Sequence, residues 1–447
     1  MIPILTPAEM AAVDATADAP VDVLIERAGG AVARRALAML GGAYGKRVVV
    51  VAGKGNNGAD GRAAARRLAR RGVKVDVIDA VDAPATLPAC DLVIDAAYGT
   101  GFHGEYVAPD PVRAKVLAVD IPSGVNGDTG EAAPHAVRAD ATVTFAALKP
   151  GLLIGAGPDL AGDIDVVDIG LDVGDVRRYL IEDADAHAWL PSRGRTENKW
   201  TRAVYVLAGS PGMYGAALLS ATAALRAGAG MVRLGIPGAD PATVPPSEVV
   251  VRPTPAVGFG PTVLEDMRKC CALIVGPGLG TDDRKASEIR RIIAEAAMPV
   301  IVDADALTAL GESPDVSSRS HVTILTPHDG EFARLAGMAP GDDRFGDVCT
   351  LAAKTGASVL LKGPTTIVAE PGGSVLVANR GGSRLATAGT GDVLAGVIGA
   401  ACASGLPAAS AAAVAAHVHG AAAELGPSHG LIAGDLLDLI PRWLSNA

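Results

Sequence analysis

The sequence predicts an α/β protein built from two domains, each with a parallel sheet between helices. Short runs of β-branched residues alternate with segments of helical length along most of the chain. These runs are apolar throughout rather than alternating, which is typical of strands buried on both faces. The length of 447 residues exceeds what one hydrophobic core usually supports, so two domains are expected.

Two helices are predicted first, from Thr6 to Asp18 and from Asp22 to Leu40. Thr6 is a suitable N-cap, and the Gly41-Gly42 pair is a suitable helix stop. A series of buried strands follows. These strands are predicted at Arg47 to Ala52, Lys74 to Asp79, Asp91 to Asp95, Lys115 to Asp120 and Ala141 to Phe145.

A second α/β series follows a polar segment from Pro191 to Asn198, and a domain edge is expected near Val176 to Asp185. This edge divides the chain into predicted domains at residues 1–178 and 182–447. The strands of the second series are predicted at Ala203 to Ala208, Met231 to Ile236, Ala272 to Val275, Val300 to Asp303, Val322 to Leu325, Ser358 to Lys362 and Thr365 to Ala369.

The composition excludes several classes of function. A net charge of −10 and an aromatic content of 3% argue against a nucleic-acid binder. The five cysteines form no C-x-x-C pair, and no apolar run is long enough to cross a membrane. We therefore expect a cytoplasmic protein with reduced thiols, which acts on small molecules and does not associate with membranes or nucleic acids.

A glycine turn follows the first predicted strand. Gly53, Gly55 and Gly58 satisfy G-x-G-x-x-G, and Asp76 and Asp79 follow at the spacing of a ribose-binding acid. Such a turn lets the backbone approach a pyrophosphate at a helix N-terminus. A tight turn without a ligand is the alternative, and ordinary hydride transfer by NAD is another. The sequence shows no catalytic His or Tyr-Lys arrangement nearby to support hydride transfer.

Polar residues follow the next strands of the same series. Asp95 ends one strand, and Asp120 and Ser123 follow another. Because ligands of open α/β sheets bind at the carboxyl ends of the strands, these residues are expected to converge with Asn57. Such oxygen-rich ligands suit a hard cation or a hydroxylated substrate. Each acid could instead be a turn or cap residue, the commoner role of Asp beside Gly.

In the second half, a Gly389-Thr390-Gly391-Asp392 turn opens a predicted helix. Its backbone N–H groups can bind an anion, and Asp392 can accept a hydroxyl proton, as phosphoryl transfer requires. Asp392 could instead only cap its helix. No P-loop or protein-kinase motif is present. Lys362 and Gly363 suit charge pairing with phosphates and close nucleotide approach.

The three motifs of the first half, Gly-x-Gly-Asn-Asn-Gly-x-Asp-Gly, Val-x-Asp-Ala-x-x-Gly-Thr-Gly and Asp-Ile-Pro-Ser-Gly, together resemble the YjeF N-terminal family of NAD(P)HX epimerases. The resemblance implies a Rossmann-like three-layer fold, Asp120 as catalytic acid/base, and a K⁺ ion bound by Asn57, Asp95 and Ser123. It implies that the hydrated nucleotide contacts Asp120 and two loops. Those loops contain Asn56, Asn57, Gly58, Ala59, Asp60, Gly99, Thr100, Gly101, Phe102, His103, Gly104 and Glu105.

The second half, from about Asp183 to Trp443, resembles the ribokinase-like NAD(P)HX dehydratases. The resemblance implies Asp392 as the catalytic residue, with Mg²⁺ and ADP or ATP as cofactors. The implied hydrate site contains Ala216, Gly278, His328 and Asp392. The implied adenine-nucleotide site contains Lys362, Gly363, Pro364, Thr365, Thr366 and Gly391.

The leading hypothesis is therefore a bifunctional enzyme that repairs hydrated NADH and NADPH: it epimerises the R and S hydrates and dehydrates the S form. The alternative is a C-terminal small-molecule kinase joined to a non-catalytic N-terminal nucleotide-binding module. The sequence does not decide between ADP and ATP, and it is compatible with a homo-oligomer. His417 and His419 lie at i and i+2 on a predicted helix, so they point in different directions and do not predict a metal pair.

Overall fold

The computed structural model describes residues 1–101, 106–245 and 247–445. The chain divides into two compact units. The first contains Ile2–Arg178 and a short excursion, Asp342–Arg344. The second contains Met1, Tyr179–Gly341 and the chain from Phe345 towards the C-terminus.

The first unit is a parallel sheet flanked by helices. The sheet has the strand order β3-β2-β4-β5-β6-β7, and every neighbouring pair is parallel. Its elements are β1 (Ile2–Pro3), α1 (Pro7–Ala15), α2 (Val21–Leu40), β2 (Arg47–Ala52), α3 (Asn56–Arg70), β3 (Lys74–Asp79), β4 (Leu92–Ala96), β5 (Lys115–Val119), β6 (Ala141–Phe145), α4 (Gly157–Ala161) and β7 (Asp163–Val167).

Local sequence explains where the first helices begin and end. Thr6 caps α1 in a reciprocal capping box with Glu9, and Gly41 ends α2 in the left-handed conformation at φ 67°. Helix α2 packs closely on α3, because a Cβ placed at Gly29 would lie 2.5 Å from the Cβ of Ala63. This packing fixes α3, whose N-terminus follows the glycine turn after β2.

The second unit is a larger α/β layer. Its elements are β8 (Arg178–Leu180), α5 (Asp183–Trp189), β9 (Ala203–Leu207), α6 (Tyr214–Arg226), β10 (Met231–Gly235), β11 (Val250–Arg252), α7 (Gly260–Asp266), β12 (Ala272–Val275), α8 (Asp283–Glu295), β13 (Val300–Val302), α9 (Asp305–Leu310), β14 (Thr323–Leu325), α10 (Asp329–Ala336), α11 (Arg344–Thr355), β15 (Ser358–Leu361), β16 (Thr366–Ala369), β17 (Val375–Ala378), α12 (Thr390–Ala403), α13 (Ala408–Glu424) and α14 (Ala433–Ser445).

Its sheet runs in the order β8-β17-β16-β15-β14-β13-β12-β9-β10-β11. The pairs from β15 to β11 are parallel, whereas β15-β16 and β16-β17 are antiparallel. The Ala-rich helix α13 and most of α12 are buried on one face of this sheet. Small residues permit this close packing: a Cβ at Gly396 of α12 would lie 2.3 Å from the carbonyl oxygen of Ser220 of α6.

The predicted α/β fold class is confirmed. Several strands end one residue earlier than predicted, at positions such as Asp303 and Lys362, whose side chains form a hydrogen bond with each other just beyond the strand ends. The strands β1, β7, β8, β11 and β17 were not predicted. Among the described residues, no helix combines the length and apolar character that a membrane span requires.

Candidate active sites

A cavity of about 520 Å³ opens at the carboxyl ends of the strands in the first unit. Residues that follow β2, β4, β5 and β6 line one side, and apolar side chains of α1 and α2 line another. The polar lining residues are Asp14, Lys54, Asn56, Asn57, Asp60, Tyr98, Thr100, Asp120 and Lys149. Segments that follow four separate strands thus meet in one pocket, the position where open α/β sheets bind ligands.

The carboxylate of Asp120 is held in place by two donors at this cavity. Its backbone is left-handed, with φ 68°. The Nζ atom of Lys149 donates to Oδ1 of Asp120 over 2.5 Å, and the hydroxyl of Thr144 donates to the same oxygen over 3.1 Å. Lys149 is only 2% exposed, so its ammonium is almost fully removed from water. These donors hold Asp120 in one orientation, and its Oδ2 lies near Gly99.

Asp60 projects from the first turns of α3 into the same cavity. It is 8% exposed and makes no side-chain hydrogen bond or ion pair with another described residue. Burial, followed by the negative charges of Asp120 and Asp14, raises the pKa of Asp60 to about 8. At neutral pH this carboxyl group is therefore mostly protonated, and it can donate a proton.

The predicted K⁺ ligands lie on neighbouring loops. Asp95 is buried, its Oδ2 accepts from the backbone N–H of Ser123, and its Oδ1 accepts from the Ser123 hydroxyl over 2.7 Å. Burial raises the pKa of Asp95 to about 6, although the Ser123 hydrogen bonds oppose this rise. The amide oxygen and nitrogen of Asn57 are buried without a partner among the described residues. An unpaired buried amide oxygen fits a cation ligand, since K⁺ would satisfy it.

The two acids considered for an ordinary dinucleotide site have other partners. Asp79 pairs with Arg62, and Asp76 lies 3.7 Å from Arg47. Neither acid lines the cavity. The geometry therefore gives no support to a ribose-binding acid on β3.

In the second unit, Lys362 is the centre of a buried ionic cluster. Its Nζ lies 2.9 Å from Oδ1 of Asp303 and 3.5 Å from Oε2 of Glu331. Asp303 is 2% exposed and also accepts from the hydroxyl of Thr326 over 2.7 Å. The two carboxylates raise the pKa of Lys362 against the opposing effect of burial, so its ammonium stays charged.

Asp392 and Gly391 lie beside this cluster at the start of α12. A Cβ at Gly391 would lie 3.7 Å from Nζ of Lys362, so the lysine approaches the helix N-terminus closely. Burial, followed by the charge of Asp303, raises the pKa of Asp392 to about 6, while Lys362 opposes the shift. A carboxylate beside a lysine and free helix N–H groups can accept a proton and neutralise a phosphoryl group.

His328 is the N-cap of α10. Its Nδ1 accepts from the backbone N–H groups of Gly330 and Glu331, and Glu331 reaches back to the N–H of His328. Because Nδ1 is an acceptor, the proton of the neutral ring is on Nε2. The side chain is 57% exposed, so the ring remains available to a ligand while its other edge caps the helix.

The remaining predicted site residues fall into three groups. Ala216 and Gly278 adjoin each other, because a Cβ at Gly278 would lie 3.2 Å from that of Ala216. Gly363, Pro364 and Thr365 form the turn between β15 and β16, and Thr366 begins β16. Gly58 and Ala59 lie in the first turn of α3, behind the cavity lining formed by Asn56 and Asn57. The predicted residues Phe102, His103, Gly104 and Glu105 lie outside the described residues.

His417 and His419 are both buried, and they have different surroundings. Nε2 of His417 lies 2.6 Å from Oδ1 of Asp183, whereas His419 donates to the backbone of Thr390. Burial lowers the pKa of His419 to about 4. In the part of the chain that the structure describes, no group of three or more His, Cys, Asp or Glu residues is arranged to hold a metal ion.

Sequence reasoning missed Lys149 and assigned no role to Asp303 or Glu331. Lys149 follows the buried strand β6 after Ala146-Ala147-Leu148, and a charged residue placed after an apolar strand was the available signal. Asp303 and Glu331 stand in strand-end motifs, but only the structure brings both to Lys362.

Comparison with known proteins gives matches over both units. The family model described as NAD(P)H-hydrate dehydratase matches residues 204–442, and the model described as YjeF-related protein N-terminus matches residues 21–87 and 78–151. A bifunctional NAD(P)H-hydrate repair enzyme of Mycobacterium tuberculosis H37Rv is 41% identical, over 86% of this chain and 84% of that protein. The enzyme of the same name from Moorella thermoacetica is 34% identical, over 99% and 97%.

A solved structure is similar to the second unit. It is the ADP/ATP-dependent NAD(P)H-hydrate dehydratase of Bacillus subtilis, co-crystallised with ATP and Mg²⁺, with a TM-score of 0.52 and 29% identity. The similarity covers 59% of this chain and 97% of that chain. The predicted family is confirmed by these matches. The chain belongs to the family of bifunctional NAD(P)H-hydrate repair enzymes.

Proposed function

We propose that residues 1–178 epimerise the R and S hydrates of NADH and NADPH, and that residues 182–447 dehydrate the S form with ADP or ATP. The single observation that carries the first assignment is the Asp120–Lys149 pair, which lies in a strand-end cavity within the segment that resembles the epimerases. Cys90, Cys270, Cys271 and Cys402 form no disulfide, which supports a reducing cytoplasm as the place of action.

In the epimerase unit, Asp120 exchanges the proton of the hydroxyl group on the hydrated ring carbon. Lys149 and Thr144 hold its carboxylate by donating to one oxygen, which leaves Oδ2 for the substrate. The glycine turn before α3 and the loop after β4 bind the nucleotide. Asn57, Asp95 and Ser123 would hold K⁺, which would supply a positive charge near these loops; the unpaired amide oxygen of Asn57 supports this assignment.

In the dehydratase unit, Asp392 takes the proton of the ring hydroxyl. The hydroxyl oxygen then forms a bond to the terminal phosphorus of the nucleotide, and the bond from that phosphorus to its bridging oxygen breaks. The bond between the ring carbon and the oxygen of this phosphate ester then breaks, and its electron pair leaves with the phosphate while the ring nitrogen donates electrons. Loss of a proton from the neighbouring ring carbon restores the dihydronicotinamide. Lys362 and the N–H groups near Gly391 neutralise the phosphates.

Mg²⁺ would supply charge neutralisation on the transferred phosphoryl group. Because Mg²⁺ usually binds through one or two carboxylates together with substrate phosphates, the lack of a preformed metal cluster in the described residues is compatible with its use. Asp303, Asp305 and Asp392 are the nearby carboxylates, and they interact electrostatically.

The test uses the full chain with an R/S mixture of hydrated NADH, K⁺, Mg²⁺ and either ADP or ATP. Recovery of the near-ultraviolet absorbance from both epimers, with stoichiometric phosphate release, is expected. Asp120→Asn should stop recovery at the S fraction, and Asp392→Asn should abolish it. Recovery of only the S fraction by the wild type would refute the epimerase assignment, and phosphate retained on the product would indicate a small-molecule kinase. Replacing K⁺ with Li⁺ should slow epimerisation alone.

A further inference from the structure

We infer that Asp60 is a second catalytic residue of the epimerase unit, a general acid that works opposite the base Asp120. The inference rests on the proposed role of Asp120. It assigns to Asp60 a chemical step rather than only a contact with the nucleotide.

Asp60 is buried at the wall of the cavity without a partner among the described residues. A carboxyl group that is 92% buried normally has hydrogen-bond or ionic partners, because desolvation is otherwise costly. Asp60 has none among the described residues, and it lines the same cavity as Asp120. A largely buried group without a partner among the described residues, at the wall of a ligand pocket, is arranged for a partner that arrives with the ligand.

The contrast with Asp120 is the second argument. Asp120 has a buried lysine and a threonine hydroxyl as donors to one oxygen, and it forms an ion pair with that lysine. Asp60 has no cation as a partner, and the negative charges of Asp120 and Asp14 act on it. An aspartate paired with an ammonium and an unpaired aspartate with a raised pKa thus line the same cavity, the arrangement by which two carboxyl groups divide acid and base roles.

Few charged groups near Asp60 could lower its pKa again. The charged groups that line the cavity with Asp60 are Asp14, Lys54, Asp120 and Lys149. Lys54 is exposed, and the ammonium of Lys149 pairs with Asp120. On the packed helices α2 and α3, Glu26 pairs with Arg66 and Arg67 on the surface.

Epimerisation through Asp120 and Asp60 opens and recloses the hydrated ring. Asp120 removes the proton of the ring hydroxyl, and the oxygen–hydrogen electron pair forms the second carbon–oxygen bond of an aldehyde. The carbon–nitrogen bond breaks, its electrons go to the ring nitrogen, and that nitrogen takes the proton of Asp60. After rotation about the adjacent carbon–carbon bond, the nitrogen attacks the other face of the aldehyde. Asp120 returns its proton to the oxygen, the nitrogen returns its proton to Asp60, and only the configuration of the carbon has changed.

The test is Asp60→Asn in the full chain, with epimerisation measured after subtraction of the uncatalysed rate. Asn keeps the size and polarity of the neutral acid but cannot donate a carboxyl proton. We expect kcat to fall about 10²-fold to 10⁴-fold, with KM changed less than tenfold. The wild-type kcat should fall as pH rises through about 8, where Asp60 loses its proton, and Asp60→Asn should lose this decline. Asp60→Glu should restore part of kcat.

Two controls separate this role from a structural one. Dehydration of the S hydrate by the same variant, a reaction of the second unit, should be unchanged, and urea unfolding of the variant should show that the first unit remains folded. Asp79→Asn removes an exposed carboxylate that pairs with Arg62 on the same helix α3, and it should epimerise normally. A kcat within threefold of wild type, a loss through KM alone, or a persistent decline above pH 8 in Asp60→Asn would overturn the inference. If the wild type itself does not epimerise, the proposed function fails instead.

Discussion

The ammonium of Lys149 lies 2.5 Å from Oδ1 of Asp120, although the lysine is 2% exposed and the aspartate 17%. The ammonium also donates to the hydroxyl of Thr144 over 2.8 Å. The carbonyl oxygens of Phe145 and Ala147 accept over 3.4 and 3.3 Å. A buried charge with this many acceptors is fully solvated by the protein, so its position is fixed and it fixes Asp120 in turn.

Lys149→Met is expected to lower the kcat of epimerisation at least 10²-fold, because Asp120 loses the donor that orients it. The free energy of unfolding should fall by roughly 2 kcal/mol, since one partner of a buried pair remains. Steady-state kinetics and urea unfolding would measure both effects. Lys46→Met, which removes a surface partner of Asp91, is the matched control and should change neither. Full epimerase activity in Lys149→Met would contradict the proposed positioning role.

Dehydratase activity should depend on the ionisation of Asp392. Because its pKa is raised to about 6 by burial and must be exceeded for it to accept a proton, kcat/KM should rise with pH through about 6 and level off above it. Asp392→Asn should reduce kcat about 10²-fold to 10⁴-fold at every pH. Epimerisation by the same variant is the internal control. A wild-type profile that is flat between pH 5 and 7 would argue against Asp392 as the base.

Lys362→Met should raise the KM for ADP or ATP tenfold or more, because the phosphates lose their nearest ammonium. The single variant also leaves Asp303 buried without its cation, so its stability is expected to fall. The double variant Lys362→Met/Asp303→Asn removes both charges and should recover stability without recovering nucleotide affinity. Lys354→Met, at an exposed position on α11, is the control. Normal nucleotide KM in the single variant would refute the assignment.

His328 can be tested by separating its two roles. His328→Ala removes the N-cap of α10 and should cost about 1 kcal/mol of stability, whereas His328→Asn keeps a capping side chain. If the exposed ring edge contacts the hydrated nucleotide, both variants should raise the KM for the hydrate. Thermal unfolding and dehydratase kinetics distinguish these effects. A hydrate KM that remains normal in His328→Asn would leave His328 with the capping role alone.

Much of the fold could be predicted because apolar, β-branched runs mark most strands of both sheets. The strands β2, β3 and β6 begin and end where the sequence predicted. Length does not explain the missed strands, since β13 and β14 have three residues each and were predicted, whereas β7 has five and was not. The missed strands β7 and β11 are partly exposed and contain charged residues, which interrupt the apolar pattern.

Some site residues could be predicted from the sequence and others could not. Asp120 directly follows the apolar strand β5, and Asp392 follows Gly391 at the start of α12, so the sequence alone marks both positions. Lys149 was not predicted, because its role depends on burial at the end of β6 and on contact with a residue 29 positions earlier. The raised pKa of Asp60 likewise depends on neighbours that only folding assembles.

The left-handed backbone at Asp120 restricts which amino acids the position can accept. Glycine, asparagine and aspartate enter this conformation at little cost, whereas β-branched residues are strongly disfavoured there. Among these three, only aspartate has a carboxylate. The left-handed backbone therefore limits the amino acids that fit position 120, independently of the chemistry that the side chain performs. Inactivation by Val or Thr would report on chain geometry as much as on lost charge, and asparagine is the substitution that isolates the proton-transfer role.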